Sequence, residues 1–174
     1  DIQRASVVAL IKRKSSRGQL EVIRHLPQLC EEARESLESQ VEGIEAALKQ
    51  ALLHGDEELQ SHALELVRST ENFGQVPVLL EMLKVDRAEV SDRAAETMRD
   101  LVDRLFEHGF QGRGSRRPDR YLRNAAQVKH NVLTGFDRAL SHFDELTHQL
   151  DVVEGVLILG DADNFAVKKA LVQN

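Results

Sequence analysis

Apolar residues between Gly55 and Gly109 recur at intervals of three and four, the spacing that places side chains on one face of a helix. Leu59, Ala63, Leu66 and Val67 make the first such face. Asp56 stands before it as a cap, and Glu57 and Glu58 lie in the first turn, where the helix dipole favours negative charge. Asn72-Phe73-Gly74-Gln75 reads as a capping box ahead of Val76, Leu79, Leu80 and Leu83, which predicts a second helix. Asp86-Arg87-Ala88-Glu89 repeats that box. It precedes a longer face through Val90, Ala94, Met98, Leu101, Val102, Leu105 and Phe106, which stops at His108-Gly109.

The rest of the chain carries the same period. Ile2, Val7, Leu10 and Ile11 predict a first helix, and Ser16-Arg17-Gly18-Gln19 a capping box that opens another through Leu20, Val22, Ile23 and Leu26. Residues 28 to 53 read as helix almost without a break, and a single helix from 18 to 53 would be a rod of about 54 Å. We therefore expect a reversal or a sharp kink between Pro27 and Ser39. Internal offsets suggest repetition. A shift of 56 lays Gly18-Gln19-Leu20 on Gly74-Gln75-Val76, a shift of 54 lays Leu48, Ala51 and Leu52 on Val102, Leu105 and Phe106, and a shift of 92 lays Leu66 and Val67 on Ile158 and Leu159. Residues 110–143 look like an insertion into this series. It starts with a loop of glycine, arginine and Pro118 and continues as a long helix with Leu122, Ala126, Val132, Leu133, Phe136, Leu140 and Phe143 on one face. Gly135 inside that helix predicts a close helix crossing.

Leu79-Leu80, Leu83, Asp86, Val90, Arg93 and Ala94 together resemble the HEAT-repeat family of helical solenoids, related to armadillo repeats. The resemblance covers about 50 residues and rests on apolar positions with one Asp and one Arg. It implies an all-α fold, an alpha-alpha superhelix of eight to nine helices, in which Asp86 and Arg93 link neighbouring repeats. It implies architecture and no single activity, since function lives in sites grafted on a fold. We expect 1–174 to form one helical-repeat domain. The absence of an initiator Met and the apolar Ala170-Leu171-Val172 near the last residue lead us to expect a piece of a longer array.

Composition adds that the core is aliphatic: aromatics are 4% of the 174 residues, with no Trp. No apolar run approaches the ~20 residues of a membrane helix. A single cysteine, Cys30, precludes an intrachain disulfide and fits a reducing compartment such as the cytoplasm. Cys30 and His25 flank Pro27 at a spacing that gives no nucleophile-base pair, so a structural thiol is expected. His142, Asp144, Glu145 and His148 are the densest group of ligand types, but two histidines six apart point to different helix faces, and a turn between helices accounts for them better than zinc does. Asp161-Ala162-Asp163-Asn164 begins like a calcium loop, yet Phe165 and Ala166 stand where a ligand and a glycine are needed. We expect no catalytic residues, no metal and no cofactor.

Charge supplies the remaining signal. Residues 31–45 hold six glutamates against Arg34, the pattern of a solvated helix face. Residues 112–123 hold Arg113, Arg116, Arg117, Arg120 and Arg123 against Asp119, a local +4 in a chain of net charge −6, with Tyr121 beside them. Such a stretch suits phosphates or an acidic protein surface. A second basic run, Lys12, Arg13, Lys14 and Arg17, is expected to form a separate patch. The leading expectation is a non-enzymatic protein-protein interaction scaffold with an as yet unidentified protein partner. The alternative is a nucleic-acid-binding helical repeat using the arginines of 113–123, which the acidic balance disfavours.

Overall fold

The computed structural model describes residues 2–84, 88–110, 125–160, 168–169 and 171–172. Among these the chain is all-helical and has no strand, with nine α-helices: α1 (Ile2–Lys12), α2 (Ser16–Arg24), α3 (Glu31–Ser39), α4 (Glu45–His54), α5 (Glu57–Ser69), α6 (Val76–Met82), α7 (Ala88–Phe110), α8 (Ala125–Leu140) and α9 (Gln149–Leu159). Four single 3₁₀ turns, at Leu26–Gln28, Val41–Ile44, Phe73–Gln75 and Phe143–Glu145, lie between them. The residues divide into two compact units, Asp1–Thr70 and Glu71–Asn174.

In the first unit α1 packs on α2 and α3, and α4 packs on α2 and α5. The break expected near Pro27 falls at residues 25–30, where Pro27 sits in the 3₁₀ turn after α2 and the α-helical ladder stops. A second break, at Gln40–Ile44, was not foreseen: Val41 and Ile44 are buried there, so the turn is held by packing where no proline marks it. Asp56 caps α5 as expected, its Oδ1 accepting from the Leu59 N–H at 2.9 Å, and its Oδ2 lies 2.9 Å from Arg24 on α2. On α3 the glutamates face outward around a buried strip of Ala33, Ser36 and Leu37. Glu38 accepts from Ser69, and Glu65 pairs with Arg34, so the acidic face also ties α3 to α5.

Two capping boxes give way to other arrangements. Ser15, one residue before the predicted cap, accepts from the Gly18 N–H, which frees Gln19 from capping. Gln19 is buried instead and donates to the carbonyls of Ile11 at 3.3 Å and Gly43 at 3.2 Å. Asn72 makes no side-chain cap bond; residues 73–75 coil into a 3₁₀ turn, and α6 begins behind Gln75 with Pro77 in its first turn. The 56-residue offset thus matches a helix interior to a 3₁₀ turn, and the two are not equivalent locally. Asp86 lies outside the described residues.

A different repetition exists. Gln60, buried on α5, donates to the Leu52 carbonyl of α4 at 2.9 Å, just as Gln19 of α2 donates to Ile11 of α1. Both pairs obey one rule: last-turn carbonyl, cap four residues on, Gln four residues after the cap. The series 11, 15, 19 and 52, 56, 60 differ by 41 residues, and the same shift carries buried Val7, Val22, Ile23 and Leu26 onto buried Leu48, Ala63, Leu64 and Val67.

In the second unit α6 packs on α7 and α8, and α9 packs on α7 and α8. The helix at 125–140, read as part of an insertion, belongs to the core: Val132 and Phe136 are fully buried, with Leu133, Ala139 and Leu140. The expected close crossing at Gly135 is present, because a Cβ there would lie 3.0–3.2 Å from Pro77 of α6. Phe143 falls outside α8, in the following 3₁₀ turn, and is half-buried. The α6–α7 junction repeats the spacing seen in the first unit, with Ser91 eight residues after Leu83. Ser91 is fully buried, its hydroxyl hydrogen-bonds to that of Thr147, and Thr147 in turn donates to the Leu83 carbonyl at 2.9 Å. On the apolar faces predicted between Gly55 and Gly109, Leu59, Ala63, Leu66, Leu79, Leu80, Leu83, Ala94, Met98, Leu101 and Leu105 are buried, whereas Phe106 is 38% exposed.

Candidate functional site

Helix α9 is apolar on both sides. Its sequence, Gln149-Leu150-Asp151-Val152-Val153-Glu154-Gly155-Val156-Leu157-Ile158-Leu159, starts with Asp151 in the first turn and ends at Gly160, whose extended backbone leaves the helix. Val152, Val156 and Leu159 turn inward and are buried. Gly155 lies on the same side, where a Cβ would come within 2.7 Å of the Phe136 ring of α8, so only glycine admits that ring without a shift. This inner face accounts for the helix's place in the core.

The outer face is a shallow groove lined by Leu150, Val153, Glu154, Leu157 and Ile158. Leu150 is 74% exposed and Leu157 44%, Ile158 is half-buried, and Val153 closes the groove floor. Glu154 stands exposed in the middle, and no hydrogen-bonding or ionic partner reaches its carboxylate among the described residues. A helix that is hydrophobic all round is normally buried all round. Here one side is open to solvent.

The start of α9 is fixed by a chain of charged groups. His148 Nδ1 lies 3.1 Å from Asp151 Oδ2 and His148 Nε2 lies 3.0 Å from Asp92 Oδ1 of α7. Arg99 Nε of α7 lies 3.6 Å from Asp151 Oδ1. Both imidazole nitrogens are therefore engaged by carboxylates. His142 points elsewhere, 3.4 Å from Glu145. His142, Asp144, Glu145 and His148 occupy the connection between α8 and α9, the turn expected from their spacing, and among the described residues no group of three or more His, Cys, Asp or Glu has the arrangement to hold a metal ion.

Cys30 is half-buried at the N-cap position of α3, where its side chain makes no cap bond, and its N–H donates to Gln3 Oε1 at 2.9 Å. The Glu32 carboxyl sits below the usual carboxylate range, held first by its own backbone N–H and then by the Cys30 side chain. His25 turns to Gln28 at 3.2 Å and toward Glu21 at 3.8 Å. Arg113, Arg116, Arg117, Arg120, Arg123 and Tyr121 lie outside the described residues, as do Asp161, Asp163 and Asn164. Lys12, Arg13, Lys14 and Arg17 are exposed around the α1–α2 turn, where Lys14 takes a positive φ of 52°. No described helix is long and apolar enough to cross a membrane.

In the sequence, Glu154 and Gly155 interrupt the apolar run Val152–Leu159, which conceals the outer face of α9. The available signal was Leu150 and Leu157, seven apart and on the side opposite Val152 and Val156. With the all-helical fold and this face described, comparison of the chain with protein-family models, with curated proteins and with solved structures yields no significant match.

Proposed function

We propose that this chain is a non-enzymatic protein-protein interaction module of HEAT-like paired helices, and that a partner docks on the outer face of α9. One observation carries the proposal: Leu150 and Leu157 are presented to solvent on a helix whose opposite face is already fully used in the core. An open apolar groove flanked by polar residues is the feature from which this docking face is read. The repeat architecture draws support from the Gln junctions, whose 41-residue spacing lies within the roughly 40–47 residues of HEAT and armadillo units. The nucleic-acid reading rests on the arginines of 113–123, and nothing among the described residues favours it.

The test compares the wild-type chain with a Leu150→Ser, Leu157→Ser double variant, both used as bait in lysate from the cells that make the protein. Both side chains are exposed, so the variant is expected to keep its helical circular dichroism and melting temperature. The wild type is expected to capture a protein that the variant does not. Identical captured sets would remove α9 from the account, and salt-sensitive retention of DNA or RNA by both proteins would favour the arginine-based alternative.

A further inference from the structure

We infer that the occupant of the α9 groove is an amphipathic helix from another protein that carries a Lys or Arg between its apolar anchors. The inference rests on the interaction reading above and assigns the partner's chemistry.

The shape of the site selects a helix. Leu150 and Leu157 are a heptad apart with Val153 between them, the a-d-a spacing of a helix-helix seam, and the face runs for about 12 Å along the axis. A helix spends its backbone donors and acceptors on itself, so α9 offers no open ladder to an extended strand. An amphipathic helix laid alongside at a shallow angle would set anchors at i, i+3 or i+4, and i+7 against Leu150, Val153 and Leu157.

Charge then selects among helices. Glu154 lies between the two exposed leucines and has no partner among the described residues, so a covering helix takes its carboxylate out of water. An uncompensated charge at such a place disfavours binding, whereas a Lys or Arg opposite it is matched. This argues against a second copy of the chain: two α9 faces packed in register about a two-fold axis would bring Glu154 against its own image. The extent of the face points the same way. Five lining residues on one helix fall well below the roughly 1,000 Å² expected of a stable interface. The site suits a short helical segment bound transiently.

The experiment uses the intact chain and two synthetic helical peptides of about four turns. Both present Leu at i, i+3, i+4 and i+7; one has Lys at the position facing Glu154 and the other has Glu there. Binding is followed by fluorescence anisotropy, and self-association by sedimentation. The Lys peptide is expected to bind at least about tenfold more tightly than the Glu peptide, a difference of about 1.4 kcal/mol. Glu154→Lys is expected to reverse that order, and Leu157→Ser to abolish binding of both. Equal binding of the two peptides, lost in Leu157→Ser, would keep the apolar docking face and overturn the charge inference. Failure of both peptides together with Leu157-dependent dimerisation would make a second copy the occupant and overturn it as well. Failure of both peptides with the chain monomeric would overturn the inference and the docking role of α9 alike.

Discussion

At the scale of single residues, two glutamines hold helix junctions that their side-chain type alone does not announce. Gln60 is 7% exposed and supplies a hydrogen bond to the Leu52 carbonyl; Gln19 is 5% exposed and serves Ile11 and Gly43. Truncating Gln60 removes the donor to the Leu52 carbonyl, which costs about 1–3 kcal/mol; the Ile11 carbonyl keeps the Lys14 N–H at 3.1 Å, so truncating Gln19 costs less. Urea denaturation of Gln60→Ala is expected to show a loss of that size, Gln19→Ala a smaller one, and Gln28→Ala, on an exposed residue, a loss below about 0.5 kcal/mol. Asp56 adds a dependence on pH. The Leu59 N–H, and after it Arg24, lower its carboxyl pKa in the folded chain. A depressed folded-state pKa means that its contribution is present above the unfolded carboxylate range and is lost as pH falls through the folded value. Asp56→Asn keeps a capping oxygen but cannot titrate. Its melting temperature is therefore expected to fall less steeply than the wild type's below about pH 4.

At the scale of elements, the helices were legible because their apolar period is regular and their interiors lack proline. Their junctions were less so. A capping box and a buried strap both place a Gln shortly after a small polar residue, and the choice is made by what packs above that Gln, which sequence does not display. Gly135 was readable as a crossing because a glycine within a strong helical pattern needs a packing reason. Gly155 has the same origin, but beside Glu154 it reads as an interruption of the apolar run. Alanine is the better helix former by about 1 kcal/mol, but at position 135 its Cβ would press on the Cα and Cβ of Pro77. Overpacking of this kind costs about 1–3 kcal/mol, so Gly135→Ala is expected to destabilise on balance. Gly155→Ala, meeting the buried Phe136 ring at 2.7 Å, is expected to lose more. Thermal melts of the two variants decide the order. The outer face of α9 was hidden for a related reason: sequence shows that a residue is apolar and not whether another helix covers it.

At the scale of the whole molecule, residues 1–70 and 71–174 each have their own buried centre, Leu37, Leu48 and Leu66 in one and Leu79, Leu101 and Phe136 in the other. Separately expressed 1–70 and 71–174 are expected to give helical spectra and cooperative melts, since a compact unit with its own core can fold alone. A fragment that stays unfolded until mixed with its complement would show a single cooperative unit instead. The polar junctions add an order in time. The bonds from Gln19 to Ile11 and from Gln60 to Leu52 join residues eight apart and can close as soon as each helix pair has left the ribosome. The junction at Leu83 has only Ser91 at the matching position, and the group that reaches the carbonyl is Thr147, 64 residues downstream. Closing it needs a loop of that length, so it waits on synthesis of the α8–α9 connection and comes late in folding. The Thr147 N–H, also bonded to the Leu83 carbonyl at 3.0 Å, is the amide whose slowed exchange with solvent would mark that last closure.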